Sequence, residues 1–389
     1  MPPPQQSQQA EPFEIRVPDG DIEDLRSRLA RTLWPAEVGD SGWEYGTNLG
    51  YLRELCQYWE TQFDWRAQEA LLARFPHYRM RLGGLGIHFV HAQGKGPDPL
   101  PLVLSHGWPS SFFEFCKVID ALADPSSHGG DPADAFHVVV PSLPGYGFSE
   151  ASSEPGLSPR RIAALWAELM ENLGYARFGA HGGDWGSYVT SFLGHDFAAR
   201  VPGIHMTMVA VSPPRGTGSS EGEQRGRGRR SRTTDEFGYQ AIQSTKPQTL
   251  AYGLTDSPAG LAGWIVEKWR AWADCDGDVE RRFTKDELLT NISLYWFTRS
   301  IGSSVRLYYE SRRDVFELPE GKRIEAPAGF ALFSGQGRYY PRSRAERAFN
   351  VVRWSEIPRG GHFPAMEEPD LLVDEIRTFF RPLRARRRE

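Results

Sequence analysis

The chain has 389 residues, 40% of them hydrophobic and 12% aromatic, enough to bury a sizeable core in one large domain with an insertion or in two domains. A formal net charge of -5 gives no support to nucleic-acid binding, and three widely spaced cysteines, Cys56, Cys116 and Cys275, suggest neither a disulfide framework nor a zinc motif. No apolar run approaches the roughly 18 residues of a membrane-spanning helix, so no membrane anchor is expected, and reduced thiols point to the cytoplasm.

Met1 to Pro12, rich in Pro, Gln and Ser, lacks the apolar core of a signal peptide and reads as a disordered lead-in. An extended piece, Phe13 to Val17, precedes a helix start at Asp19-Gly20-Asp21, after which Ile22, Leu25, Leu29 and Leu33 recur at helical spacing. Helices are predicted over Asn48 to Gln62 and Trp65 to Arg74. With no strands between them, residues 13–77 read as a helical meander covering another domain. Regular alternation begins after Pro76, with a hairpin, Tyr78 to Leu82 and Ile87 to His91, turning at Gly83-Gly84. Strand Leu100 to Leu104, helix Ser111 to Leu122, strand Phe136 to Val140, helix Ser158 to Leu173 and strand Ala176 to Ala180 follow; Val209 to Val211 is a candidate for the next strand. Strands alternating with helices imply parallel pairing and right-handed crossovers, the first part of a core over residues 78–214.

The alternation then stops. Arg215 to Arg232 is dense in Gly, Ser and Arg without apolar periodicity, and reads as a solvated flexible loop rather than an anion site. Glu236 to Glu310 is helical and rich in aromatics. A strand at Gly329 to Phe333, another at Val351 to Trp354 and a closing helix from Glu367 to Phe380 complete the core over residues 326–389. The expected fold class is therefore α/β, with a flexible loop and helical lid at residues 215–325 inserted between two parts of one sheet.

The chemistry centres on Gly182-Gly183-Asp184-Trp185-Gly186-Ser187, which lies between an apolar-leaning run and a segment of helical spacing. Small residues on both sides of one side chain fit a nucleophile elbow, a strained strand-to-helix turn that presents that side chain. Here it is a carboxylate. Displacement at a saturated carbon by a carboxylate gives an ester that water can later cleave, whereas a serine would give an inert ether. Taken alone, the hexapeptide is equally compatible with a Gly-rich turn bearing a solvated Asp.

Its partners in chain order change that balance. His106-Gly107-Trp108-Pro109 follows the strand Leu100 to Leu104, where such folds place one backbone N–H of an oxyanion hole; the residue after the nucleophile gives the other, so the donors would be Trp108 and Trp185. Gly360-Gly361-His362 lies between the strand Val351 to Trp354 and the closing helix, where a general base is expected after the nucleophile. A ring oxygen opened by a carboxylate also needs a proton, which phenols in an apolar pocket can give, but composition cannot choose among fourteen tyrosines.

Taken together, HGWP, GGDWG and PRGGHF with MEEP behind it resemble the α/β-hydrolase-fold epoxide hydrolases of microsomal type, and the stretch from Val17-Pro18-Asp19 to Trp34-Pro35 looks like their N-terminal domain. The resemblance covers nearly the whole chain from Phe13 apart from Arg215 to Arg232. It implies Asp184 as nucleophile, His362 as the base that activates water, Tyr239 and Tyr308 as lid acids, and Trp108 and Trp185 as the oxyanion hole. It implies no metal or organic cofactor. The implied partners are a small apolar or aromatic epoxide and water, with a homodimer left open.

One position departs from the pattern. The family carries Asp or Glu shortly after the strand Gly329 to Phe333 to orient the histidine; in the register Phe333-Ser334-Gly335-Gln336 this chain has Gln336. An amide oxygen can hold the tautomer but supplies no negative charge to an imidazolium, so ester hydrolysis is expected to be impaired unless another carboxylate substitutes. No acid lies in Val209 to Pro214, the other loop able to reach the histidine. Two alternatives stay open: haloalkane dehalogenation by the same ester logic, and epoxide binding with little turnover.

Overall fold

The computed structural model describes residues 9–39, 41–210, 236–314, 316–319, 321–333 and 340–385. Helices α1 (Asp19–Ala30), α2 (Leu49–Thr61) and α3 (Trp65–Leu72) precede the sheet. Their starts are set locally: the Asn48 side chain accepts the Tyr51 N–H at 2.9 Å, and Asp64 accepts those of Arg66 and Ala67. The lead-in expected to be disordered over 1–12 is ordered at its end, where Glu11–Pro12 forms strand β1 and pairs antiparallel with Arg79 and Tyr78; residues 1–8 lie outside the described residues.

Eight further strands follow: β2 (His77–Leu82), β3 (Leu85–Ala92), β4 (Leu100–Ser105), β5 (Phe136–Pro141), β6 (Gly179–Gly182), β7 (Ile204–Met206), β8 (Ile324–Phe333) and β9 (Phe349–Ile357). They form one sheet in the order β1-β2-β3-β5-β4-β6-β7-β8-β9, antiparallel from β1 to β5 and parallel from there to β9. All six residues of β4 and all four of β6 are buried, as strands covered on both faces must be. Helices α4 (Ile119–Ala123), α5 (Pro159–Asn172) and α6 (Trp185–Asp196) join the central strands.

Between β7 and β8 the described residues hold five helices, α7 (Gly238–Thr245), α8 (Pro247–Asp256), α9 (Pro258–Trp272), α10 (Lys285–Thr298) and α11 (Ile301–Ser311). This insertion is tied to the N-terminal helices: the buried Trp59 indole N–H donates to Ser293 Oγ at 3.0 Å, and Thr47 Oγ1 donates to Gly263 O at 2.7 Å. Helices α12 (Arg342–Ala345), α13 (Pro364–Glu367) and α14 (Pro369–Ala385) complete the chain.

In the first part of the core, three elements differ from the sequence reading. The single helix expected over Ser111 to Leu122 is a short 3-10 turn, Phe112–Phe115, followed by α4. All four residues of that turn are buried, so it has no solvent face, and three phenylalanines are poor helix formers. The strand after α6 lies at Ile204–Met206, ahead of the expected Val209 to Val211, of which Val211 lies outside the described residues; a buried histidine, His205, interrupts its apolar pattern and pairs with His181 of β6 at 2.9 Å. Strand β6 starts three residues later than expected. The segment Arg215 to Arg232 lies outside the described residues.

Candidate active site

The site is built outward from the turn between β6 and α6. Asp184 has φ 46° and ψ −124°, a positive φ rare for a residue with a side chain. Bare backbone on either side permits it. A Cβ on Gly186 would stand 1.8 Å from the Ser105 carbonyl oxygen, and one on Gly107 would stand 2.3 Å from Asp184 Oδ1. The end of β4 and the start of α6 can therefore close on each other only because both positions are glycine. Ser187 Oγ donates to Gly182 O at 2.8 Å and fastens the turn. Across the gap the Trp108 backbone N–H donates to Asp184 Oδ1 at 2.9 Å, and Trp185 follows as the first residue of α6.

The second carboxylate oxygen, Oδ2, lies 3.3 Å from His362 Nε2. His362 stands on the loop after β9, and that loop is held by charged side chains. Glu367 accepts the Gly361 N–H at 2.9 Å and the Asp274 N–H at 2.8 Å on one oxygen, and the Phe363 N–H at 2.9 Å on the other. Asp274, just past α9, accepts the Gly360 N–H at 2.9 Å and pairs with Arg282 at 3.1 Å, which also pairs with Glu368 at 3.0 Å. The His362 N–H donates to Trp272 O at 2.9 Å. Burial raises the Glu367 carboxyl above its ordinary value, opposed by the three N–H groups and by His362.

Aromatic rings close the remaining sides. Tyr239 of α7 stacks on Trp108 with centroids 5.3 Å apart, and Tyr308 of α11 meets Trp185 edge-on at 4.8 Å. The two phenol rings meet edge-on with centroids 5.9 Å apart, and burial together with the Asp184 charge pushes the Tyr308 hydroxyl well above its ordinary value, so it stays protonated. Trp272 lies edge-on to Tyr239 at 5.2 Å and to His362 at 5.0 Å, and the Lys268 ammonium sits 4.9 Å from the Tyr239 ring centroid. Tyr239 also lines a cavity of about 880 Å³ between the N-terminal segment and the insertion, walled by Trp34, Trp43 and Trp264.

Six residues singled out in the sequence, Asp184, His362, Trp108, Trp185, Tyr239 and Tyr308, thus converge. Gln336 lies outside the described residues. Sequence reasoning missed the supports: Glu367, Asp274 and Trp272 around the histidine, and Glu114, a buried carboxyl that accepts from the Ser110 hydroxyl and is pushed up to about 7 by burial. MEEP carried a signal as part of the resemblance, but Glu367 read only as the start of the closing helix. The chain instead breaks there, with α13 ending at Glu367 and α14 beginning at Pro369. A carboxylate, an imidazole and phenols among aromatic rings can take up an alkyl group as an ester and then hydrolyse that ester.

Comparisons with known proteins identify the family. The profile described as epoxide hydrolase N terminus matches residues 10–115, and that of the alpha/beta hydrolase family matches residues 102–375. Epoxide hydrolase 1 of Oryctolagus cuniculus is 37% identical over 399 residues, 95% of this chain and 88% of that protein. The crystal structure of juvenile hormone epoxide hydrolase from the silkworm Bombyx mori superposes with a TM-score of 0.88 at 30% identity, covering 98% of this chain and 96% of that one. The Aspergillus niger epoxide hydrolase structure gives a TM-score of 0.85 at 30% identity, with 97% of each chain covered. The chain belongs to the epoxide hydrolases of the α/β-hydrolase fold.

Proposed function

We propose that the chain converts an epoxide to a vicinal diol through an ester on Asp184. Oδ2 attacks a ring carbon, the carbon–oxygen bond breaks, and the ring oxygen takes a proton from Tyr239 or Tyr308. His362 then removes a proton from a water whose oxygen attacks Asp184 Cγ. The Trp108 and Trp185 N–H groups carry the charge on Oδ1, the ester Cγ–O bond breaks as His362 gives its proton to the departing diol oxygen, and the proton left on the Asp184 carboxyl restores the phenol. The observation that carries this reading is the division of one carboxylate between two partners, the Trp108 N–H on Oδ1 and His362 Nε2 facing Oδ2. The helical insertion serves as the lid. The rings of Trp108, Trp185 and Trp272 beside the two tyrosines suit a small apolar or aromatic epoxide, and no helix among the described residues is long and apolar enough to cross a membrane. We include a cytoplasmic location in the reading and leave a homodimer to size-exclusion measurement.

A second reading is haloalkane dehalogenation. The buried indole N–H groups of Trp108 and Trp185 have no acceptor among the described residues, and halide could take that place. The two tyrosines favour the epoxide. Intact mass after mixing with an aryl epoxide tests the choice: a transient or lasting adduct, absent in Asp184→Asn, supports the ester route. Halide release from haloalkanes with no epoxide turnover would reverse the order.

A further inference from the structure

We infer that Glu367 is the carboxylate that stabilises the imidazolium of His362 in ester hydrolysis, in place of the acid that the position of Gln336 lacks. The inference rests on the ester route above. Glu367 bridges the N–H groups on both sides of His362 and a third from the insertion, so its charge is fixed beside the base whatever the ring does. It is buried, and among the described residues no arginine or lysine pairs with it. A buried carboxylate without a cationic partner is costly, and the cation it meets is the one His362 becomes when it takes a proton from water.

The other charges around the histidine are differently engaged. Asp184 is the group being alkylated, so its charge is gone when hydrolysis begins. Glu114, on the 3-10 turn, is held towards its neutral form by burial and accepts from Ser110. Asp274 and Glu368 are already matched by Arg282, and Glu368 by Arg359 at 2.9 Å as well. Lys268 pairs with Glu267 at 2.6 Å and lies over the rings of Tyr239 and Trp272. Glu367 is therefore a positioning residue whose second role is electrostatic.

The test is Glu367→Gln, read by quench-flow with an aryl epoxide across pH 6 to 9, with alkylation and hydrolysis measured separately. Expected are hydrolysis slowed about tenfold and the acidic limb of its pH profile moved down by about one unit, the size a neighbouring unit charge produces. Alkylation is expected to change less than hydrolysis. Adding Gln336→Glu should restore the limb, which a merely structural Glu367 would not allow. Should the loop not tolerate the amide, Glu367→Asp keeps the charge at altered reach, and its limb should stay in place while the rate falls. A limb unmoved in Glu367→Gln, or moved in Glu367→Asp, overturns the inference. Absence of any adduct or diol from the parent enzyme would instead overturn the ester route, and this role with it.

Discussion

The two loops that meet at the reacting carboxylate are held by opposite means. The turn at Asp184 is held by excluded volume: Gly186 and Gly107 leave no room for a methyl group, and a strained φ is locked by the sheet beneath it. The loop at His362 is held by charge and by backbone N–H groups that end on Glu367 and Asp274. A site built on excluded volume fails at once when one atom is added. A site built on charge degrades by degrees and with pH.

The largest effect should come from breaking the first loop. Gly186→Ala sets a Cβ against a backbone oxygen that cannot swing away, so we expect destabilisation of about 3 kcal/mol or more and loss of adduct formation, read by thermal unfolding and intact mass. A soluble variant with a normal burst would mean that the turn is looser than its geometry. Next in size are the phenols. Tyr308→Phe and Tyr239→Phe should each slow alkylation about 100-fold or more, with the double variant slower still, because the ring oxygen must leave as an alkoxide without them. Equal, small losses in both would contradict a proton-donor role.

Acid should act on the supports of the elbow. Burial drives His106 and His91 down to about 4 and His205 to about 3, and holds His88 and His181 well below the ordinary histidine value. His106 follows β4, His181 lies in β6 and His205 in β7, the strands that frame Asp184. Their folded-state values are depressed, so the unfolded chain takes up these protons first. Stability is full above about pH 6.5 and falls as pH drops from there towards about 4. Thermal midpoints between pH 8 and pH 5 check this, and a flat profile would contradict it. The smallest effect concerns the second loop. Gln336→Glu should speed ester hydrolysis by less than tenfold, since Glu367 already supplies charge; quench-flow hydrolysis rates measure it, and no change in rate would sink the account of Gln336.

The same contrast explains what could be read in the sequence. The elbow was legible because steric exclusion leaves a one-letter trace: glycines at fixed offsets from Asp184, with HGWP and GGH in the order the fold requires. The supports of His362 left no such trace, because Asp274 reaches Gly360 and Glu367 across 86 and 93 residues of chain, and each acid alone reads as a surface residue. Strand β7 was misplaced for a related reason. A histidine belongs in a buried strand only when its partner is known, and His181 becomes a neighbour of His205 only through the sheet. The alternation of strands and helices and the helical insertion were readable from periodicity alone, whereas the split of 111–122 depended on how many of its rings are buried.

The account claims that Asp184 carries the substrate and that His362 releases it. The most direct measurement uses His362→Asn mixed with an excess of an aryl epoxide, digested and peptide-mapped. The account predicts a near-stoichiometric adduct on the peptide containing Asp184 and little diol. Diol release at the parent rate, or an adduct on any other residue with Asp184 unmodified, would contradict it.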